Sequence, residues 1–164
     1  MQTFNTFLHG ISFFAALSLF FVLIPLWKKS LSAKFLSLWS LCVSLYIFEK
    51  VLILKFGESV LSVTLLVTPL ISILYWLFCE SLFQEDYEVP FWSIPLALLA
   101  ILSSYLAYSF KAYDPSGSLS LRLIHKGTHV FITFLALKAI LSDWKHELND
   151  RRFQMRLAFL VMIG

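Results

Sequence analysis

The chain has 164 residues, of which 59% are hydrophobic and only 14% charged, and its mean hydropathy is +0.81. A soluble domain carries about 25% charged residues. This composition therefore excludes a water-soluble globular protein and makes lipid the solvent for much of the chain. The net charge of +3 is too small to indicate a nucleic-acid-binding surface, so the position of the basic residues matters more than their number.

Apolar segments long enough to cross about 30 Å of hydrocarbon recur along the chain. They predict an all-α fold, a polytopic bundle of transmembrane helices that forms one domain. Five segments are long enough for a full crossing, over residues 4–27, 31–54, 60–83, 91–110 and 119–141. A sixth begins near Phe153 and reaches only Gly164, about half a crossing. We therefore expect the sequence to stop inside a membrane helix, as in a truncated seven-helix domain.

Prolines fall inside three of these segments, at Pro25, Pro69 and Pro95. Membrane helices tolerate proline because neighbouring groups can pair with the carbonyl that it frees. Pro69 lies near the middle of the third segment and predicts a kink there. Turn-forming residues separate the segments at 56–59, 88–90 and 113–117.

Basic residues concentrate in two of the connections. They are Lys28, Lys29 and Lys34 after the first segment, and Lys145, Arg151, Arg152 and Arg156 after the fifth. Because basic loops stay in the cytoplasm, this pattern predicts an external N-terminus and a cytoplasmic linker at Arg151, Arg152 and Arg156. No positive charge precedes the first apolar segment, which argues against a cleaved signal peptide. The expected location is the bacterial inner (cytoplasmic) membrane, with multiple passes.

Ionisable residues inside apolar segments cost about 2.5–3.5 kcal/mol each at a helix centre, so they tend to face the protein interior and serve a function. Several of them fall in the outer half of the predicted bundle, and four of these are candidates for a common site: His9, Glu49, Lys126 and His129. We expect these four to form a polar ligand-binding pocket, open to the outside, for a small anionic or amphiphilic molecule or for a proton. Alternatively, Glu49 and Lys126 form an ion pair that ties two helices together, with the histidines hydrogen-bonded at the interface.

Other chemistry finds less support in the residue pattern. His125 and His129 have the i, i+4 spacing of half a zinc site, but Lys126 stands where an HExxH motif has its glutamate. The sequence has no GxSxG motif, no phosphate-binding glycine loop and no paired carboxylates, so we expect no enzyme activity, no cofactor and no metal. A membrane enzyme that uses His125, His129 and Glu49 is the weaker alternative. Five serines are typical of close helix packing rather than of nucleophiles: Ser37, Ser40, Ser44, Ser103 and Ser104.

Two stretches carry a resemblance to a known family. Trp76–Tyr87 ends a helix in a Leu-Phe-x-acidic-acidic-aromatic loop, which Trp92 follows. Asp143–Arg156 contains the pattern acidic-Leu-x-x-Arg-Arg-x-x-x-Arg before the sixth segment. Together they resemble the N-terminal membrane domain of bacterial AraC-type transcriptional regulators. In that family a multi-helix membrane sensor precedes a cytoplasmic helix-turn-helix domain, which is absent from these 164 residues.

The resemblance implies a membrane-embedded sensory or anchoring domain of a transcriptional regulator, which controls a cytoplasmic DNA-binding domain. We expect a homodimer that meets DNA only through that other domain, with the lipid bilayer and a small-molecule or proton stimulus as the partners of this chain. Two other functions stay open: a small transporter or pore-type effector, and the sensor of another signalling protein such as a histidine kinase. A transporter requires polar residues along a path across both leaflets, whereas here they cluster in the outer half.

Overall fold

The computed structural model describes residues 2–56, 61–84, 87–111 and 117–142, and within these residues it contains five α-helices and no strand. The helices are α1 (Gln2–Leu23), α2 (Leu31–Phe56), α3 (Leu61–Phe83), α4 (Ser93–Lys111) and α5 (Gly117–Leu141). The predicted all-α class is confirmed. Lipid offers no water to pair with exposed backbone groups, so a chain this apolar satisfies those groups inside helices.

Four of the helices are long and apolar enough to span a membrane. Their apolar stretches are Leu8–Leu26, Leu31–Glu49, Leu65–Phe83 and Leu119–Leu141. The prediction of five full crossings and part of a sixth is therefore corrected. Within the described residues, the apolar stretch of α4 is shorter, Ser93–Ser109, and α4 begins at Ser93 because Phe91 and Trp92 form a turn. The sixth predicted segment, 153–164, lies outside the described residues.

The helices pack around α3. Helix α1 contacts α2, and α2 contacts α3, which also contacts α4 and α5. Helices α4 and α5 contact each other. Within the described residues, no close backbone approach joins α1 or α2 to α4 or α5. Helix α3 is therefore central, with α2 on one side and the α4–α5 pair on the other.

The apolar core lies where α3 meets α5. Trp76 of α3 is fully buried, and it belongs to one cluster with Ile132 of α5, Phe35 of α2 and Ala100 of α4. Its ring lies 4.8 Å from that of Trp92, measured between centroids. In contrast, no residue in the apolar stretch of α1 is buried. Helix α1 therefore offers most of its surface to lipid.

The five serines assigned to helix packing are buried, as predicted. Ser37, Ser40 and Ser44 each donate a 2.8 Å hydrogen bond to a carbonyl of α2 three or four residues earlier. These bonds satisfy the hydroxyl groups in apolar surroundings. Ser37 also accepts a 2.6 Å bond from the indole N–H of Trp27, which fixes the turn between α1 and α2.

The three prolines occupy different structural positions. Pro25 lies in a 3-10 turn, Ile24–Leu26, so the first helix ends at Leu23 rather than at Trp27 as predicted. Pro95 lies in the first turn of α4, where the missing N–H removes no helical hydrogen bond. Pro69 lies inside α3, as predicted.

Candidate functional site

The four residues predicted to form a pocket lie on three helices and have different surroundings. His9 on α1 and Lys126 on α5 are exposed at the surface of the bundle. Glu49 on α2 is only 2% exposed, and His129 on α5 is half-buried.

The structure does not bring these four side chains together. No hydrogen bond or ion pair joins any two of them within the described residues, so the alternative Glu49–Lys126 pair is not formed. The physical reason is the helix order, because α3 stands between α2 and α5, and α1 lies on the far side of α2. That the four residues bind a ligand stays a prediction, and Glu49 and His129 must be considered with the groups that they face.

Glu49 lies on the side of α2 that faces α3. The positions at 35, 39, 42, 46 and 49 alternate in steps of four and three residues and so share one face of α2. Phe35 at the start of this face packs in the core cluster with α3 residues. The ring of Trp39 lies 6.0 Å from that of Tyr75 on α3. Glu49, which is buried, therefore lies on the side of α2 that carries these two contacts with α3.

The register of the two helices gives the level that Glu49 reaches on α3. Ser32 donates a 2.8 Å hydrogen bond to the carbonyl of Ser81, and the next contact along α2, Trp39 with Tyr75, lies further back along α3. The helices are thus antiparallel. Glu49 lies about ten residues after Trp39 on α2. In an antiparallel pair it is therefore opposite the residue about ten positions before Tyr75 on α3, which is Leu65.

Two further oxygen atoms on α3 lie near this level. Thr68 is seven residues from Tyr75, two helical turns away on the same face, and its hydroxyl is buried with no hydrogen-bond partner. Pro69 has no N–H, so the carbonyl of Leu65, four residues earlier, loses its helical donor. Both carboxylate oxygens of Glu49 are likewise buried and without a hydrogen-bond partner in the described part of the chain. We name the Glu49 carboxyl, the Thr68 hydroxyl and the Leu65 carbonyl the Glu49 cluster, because the register brings them to a similar level of the α2–α3 pair, although the carboxyl and the hydroxyl form no hydrogen bond with each other.

One turn beyond Thr68 on the same face of α3, a serine holds His129 of α5. Ser72 Oγ and His129 Nδ1 are 2.9 Å apart and share a hydrogen bond, whose donor depends on the tautomer of the ring. Ser72 follows Thr68 by one turn, so the two polar contacts of α3 are adjacent along the helix. The Nε2 atom of His129 is buried and has no hydrogen-bond partner.

The histidine pair on α5 does not complete a metal site. The rings of His125 and His129 are edge to face, with centroids 4.6 Å apart. No group of three histidine, cysteine, aspartate or glutamate side chains that could hold a metal ion occurs in the described ranges. The zinc alternative would thus need ligands from elsewhere.

Comparisons with protein-family models, with curated proteins and with solved structures find no match. The resemblance to AraC-type regulators therefore rests on the two sequence motifs alone. In the first motif, Trp76 and Phe83 belong to the core. Tyr87, in the connection to α4, is partly buried, and this burial together with the negative charge of Glu80 raises the pKa of its phenol. The second motif, with Arg151, Arg152 and Arg156, lies outside the described residues.

Sequence reasoning missed two hydroxyl residues on α3: Ser72, which is bonded to His129, and Thr68, whose buried hydroxyl lies near the level of Glu49. Thr68 and Ser72 are neutral, and hydroxyl residues in apolar helices are ordinarily satisfied by their own backbone. The available signal was the Thr68-Pro69 pair in the middle of an apolar segment, because proline frees a carbonyl at a predictable position. Which side of α3 faces α2, however, follows only from the packed structure.

Proposed function

We propose that this chain is a membrane-embedded sensory domain, in which a small ligand or a proton received at the Glu49 cluster changes the packing of α3. The observation that carries the proposal is the Glu49 carboxyl group, which is 2% exposed and has no hydrogen-bond partner for either oxygen in the described part of the chain. When a ligand or a proton pairs with such a carboxyl group, the free energy of the α2–α3 packing changes.

The energetic argument starts from the cost of that burial. A buried polar group left unpaired costs about 1–3 kcal/mol, and more when it is charged. Native proteins therefore keep few such groups. A methionine or leucine at position 49 would fill the same space in the α2–α3 contact without this cost. The presence of the carboxyl group is explained if a ligand pairs with it in one of the functional states.

The position of α3 provides a route by which binding reaches the other helices. Helix α3 contacts α2, α4 and α5, and its Ser72 is bonded to His129 one turn beyond Thr68. A ligand that binds one arrangement of α2 and α3 more tightly than another shifts the population towards that arrangement. The proposal requires only such a difference in affinity between two packings.

The orientation in the membrane is a further part of the proposal. Lys28, Lys29 and Lys34 are exposed around the turn between α1 and α2, which supports a cytoplasmic turn and an external N-terminus in the bacterial inner membrane. Helix α4 has 19 residues and reaches about 28 Å at 1.5 Å per residue, so we include it as a fifth crossing. Alternation then places the Glu49 cluster in the outer half of the bundle.

We assign the output to transcription, through a DNA-binding domain outside these 164 residues, and expect the whole protein to act as a homodimer. The support is the resemblance of Trp76–Tyr87 and Asp143–Arg156 to AraC-type regulators. A membrane domain of this kind would transmit its signal as a shift of the helices that lead to the cytoplasm.

The test uses the full-length protein in its own host. Transcripts are compared among the wild type, a deletion strain, and strains with Glu49→Gln, His129→Gln or the control Glu88→Gln, an exposed carboxylate outside the helices. The amount of protein in the membrane fraction is measured in each strain. We expect Glu49→Gln to alter the transcripts that the deletion alters, whereas Glu88→Gln does not. Wild-type transcripts in both the Glu49→Gln and the His129→Gln strain, at normal protein levels, would overturn the sensory role.

A further inference from the structure

The Glu49 cluster has the composition of a cation site. Its groups are a carboxylate, a hydroxyl and a backbone carbonyl, all of them oxygen atoms, which are the ligands that hard cations prefer. The carboxylate oxygens and the hydroxyl are buried and have no hydrogen-bond partner within the described residues. Unlike a surface cluster of acidic residues, this set contains a carboxyl group that is only 2% exposed.

We propose that the Glu49 cluster binds an alkali-metal cation of the size of Na⁺. Both oxygens of Glu49, the Thr68 hydroxyl and the Leu65 carbonyl are its protein ligands. The inference names the ligand class of the proposed sensory domain, and it rests on that function only for its consequence, since the site is argued from the burial of these groups and the register of α2 and α3.

The charge of the site selects a monovalent ion. The Glu49 carboxylate can supply one negative charge at most, and the oxygen atoms of Thr68 and Leu65 are neutral. A monovalent cation therefore leaves the site neutral, whereas a divalent cation leaves a net positive charge buried between apolar helices, at high cost. Histidine nitrogen atoms would favour a transition metal, but the Nδ1 atom of His129, one turn beyond Thr68, is already bonded to Ser72.

The proline explains how a helix can contribute a ligand at this depth. A regular helix uses every interior carbonyl for its own hydrogen bonds, so it offers none to an ion. Pro69 removes the donor for the Leu65 carbonyl. Interrupted membrane helices use freed carbonyls to coordinate Na⁺ near the middle of the bilayer. In α3 the proline stands one residue after Thr68, and the carbonyl that it frees belongs to Leu65, which lies at the level of Glu49.

The test is a direct binding measurement on the full chain in lipid nanodiscs. Radioactive sodium retained by the protein is counted, and the total tryptophan emission, to which Trp39 at the α2–α3 contact contributes, is followed during a NaCl titration. Choline chloride holds the ionic strength constant. We expect saturable sodium binding with a parallel change in emission. Absence of retained sodium on the wild type, or emission that follows pH but not sodium, would overturn the proposal.

Substitutions test which residues form the sodium site. Glu49→Gln keeps the side-chain volume and is expected to abolish sodium binding, while Thr68→Val is expected to weaken it about tenfold, the effect of one lost ligand to a charged group. Pro69→Ala restores the donor to the Leu65 carbonyl and is expected to weaken binding to a similar degree. The matched control is Ser44→Ala, because Ser44 is buried on α2 but bonded to its own helix. Saturable binding that survives in Glu49→Gln would contradict the assignment.

Separate measurements distinguish an effect on folding or on function from an effect on sodium binding. Circular dichroism of each variant identifies any that fails to fold, and Thr68→Val and Pro69→Ala then still test the site if Glu49→Gln is lost. Sodium binding without any transcript response to Glu49→Gln would retain the cation site and reject the sensory role. A transcript response without sodium binding would reject the cation site and retain the sensory role.

Discussion

Replacing Glu49 by methionine in sodium-free solution should stabilise the protein. Methionine is close to glutamate in volume, so the substitution leaves no large cavity in the α2–α3 contact. It removes a carboxyl group that is 2% exposed and unpaired in the described part of the chain. Relief of one unpaired buried polar group is worth about 1–3 kcal/mol, so we expect the free energy of unfolding to rise by about 2 kcal/mol, roughly a 30-fold change in the unfolding equilibrium.

The assay is reversible unfolding in mixed detergent micelles, followed by circular dichroism, with Lys126→Met as the control. Lys126 is exposed on α5, and its replacement should change the free energy of unfolding by no more than about 0.5 kcal/mol. A loss of stability in Glu49→Met would show that the Glu49 carboxyl group is not unpaired. If Glu49 were one half of a buried ion pair, Glu49→Met would destabilise the protein by about 3–5 kcal/mol, because the partner charge would be left alone.

Three further substitutions or labels test other parts of the structure. Ser72→Ala should lower the free energy of unfolding by about 1–2 kcal/mol, since it leaves His129 Nδ1 without its partner; an effect no larger than that of Ser12→Ala, an exposed serine on α1, would contradict the contact. Trp76→Ala in the core should cost about 3–5 kcal/mol in the same assay, against a small change for the exposed Phe134→Ala. Cysteine labelling tests the orientation, in a background where Cys42 and Cys79 are replaced. Single cysteines that replace Ser30 and Glu88 should react with a membrane-impermeant thiol reagent only from the cytoplasmic side, and one that replaces Ser116 only from outside. Labelling of positions 88 and 116 from the same side would show that α4 does not cross.

The helices could be predicted closely from the sequence where apolar length alone decides the structure. The third segment was expected over 60–83 and the helix runs from Leu61 to Phe83, because a continuous apolar stretch in lipid has no alternative to a helix. Predictions failed where a local breaker acts. Pro25 lies in a 3-10 turn, so α1 ends at Leu23 and not at Trp27 as predicted. The turn at Phe91 and Trp92 makes α4 begin at Ser93 and not at Phe91 as predicted.

The site could be predicted only in part, for a related reason. Glu49 stands out because a carboxylate is rare and costly in an apolar helix, and the structure places it in a buried contact. Its grouping with His9 and Lys126 assumed that residues at a similar depth share one interior. In the structure α3 separates α2 from α5. Depth follows from the sequence, but the neighbours of each helix depend on side-chain packing around faces that are almost equally apolar.

The claim at the centre of this account is that Glu49 receives the signal. It is tested most directly by measuring transcripts against external sodium concentration in strains that carry the full-length wild type or Glu49→Gln, at equal amounts of membrane protein. We predict a sodium-dependent set of transcripts in the wild type and a constant level of the same transcripts in Glu49→Gln. Equal sodium dependence in the two strains, or none in the wild type, would contradict the claim.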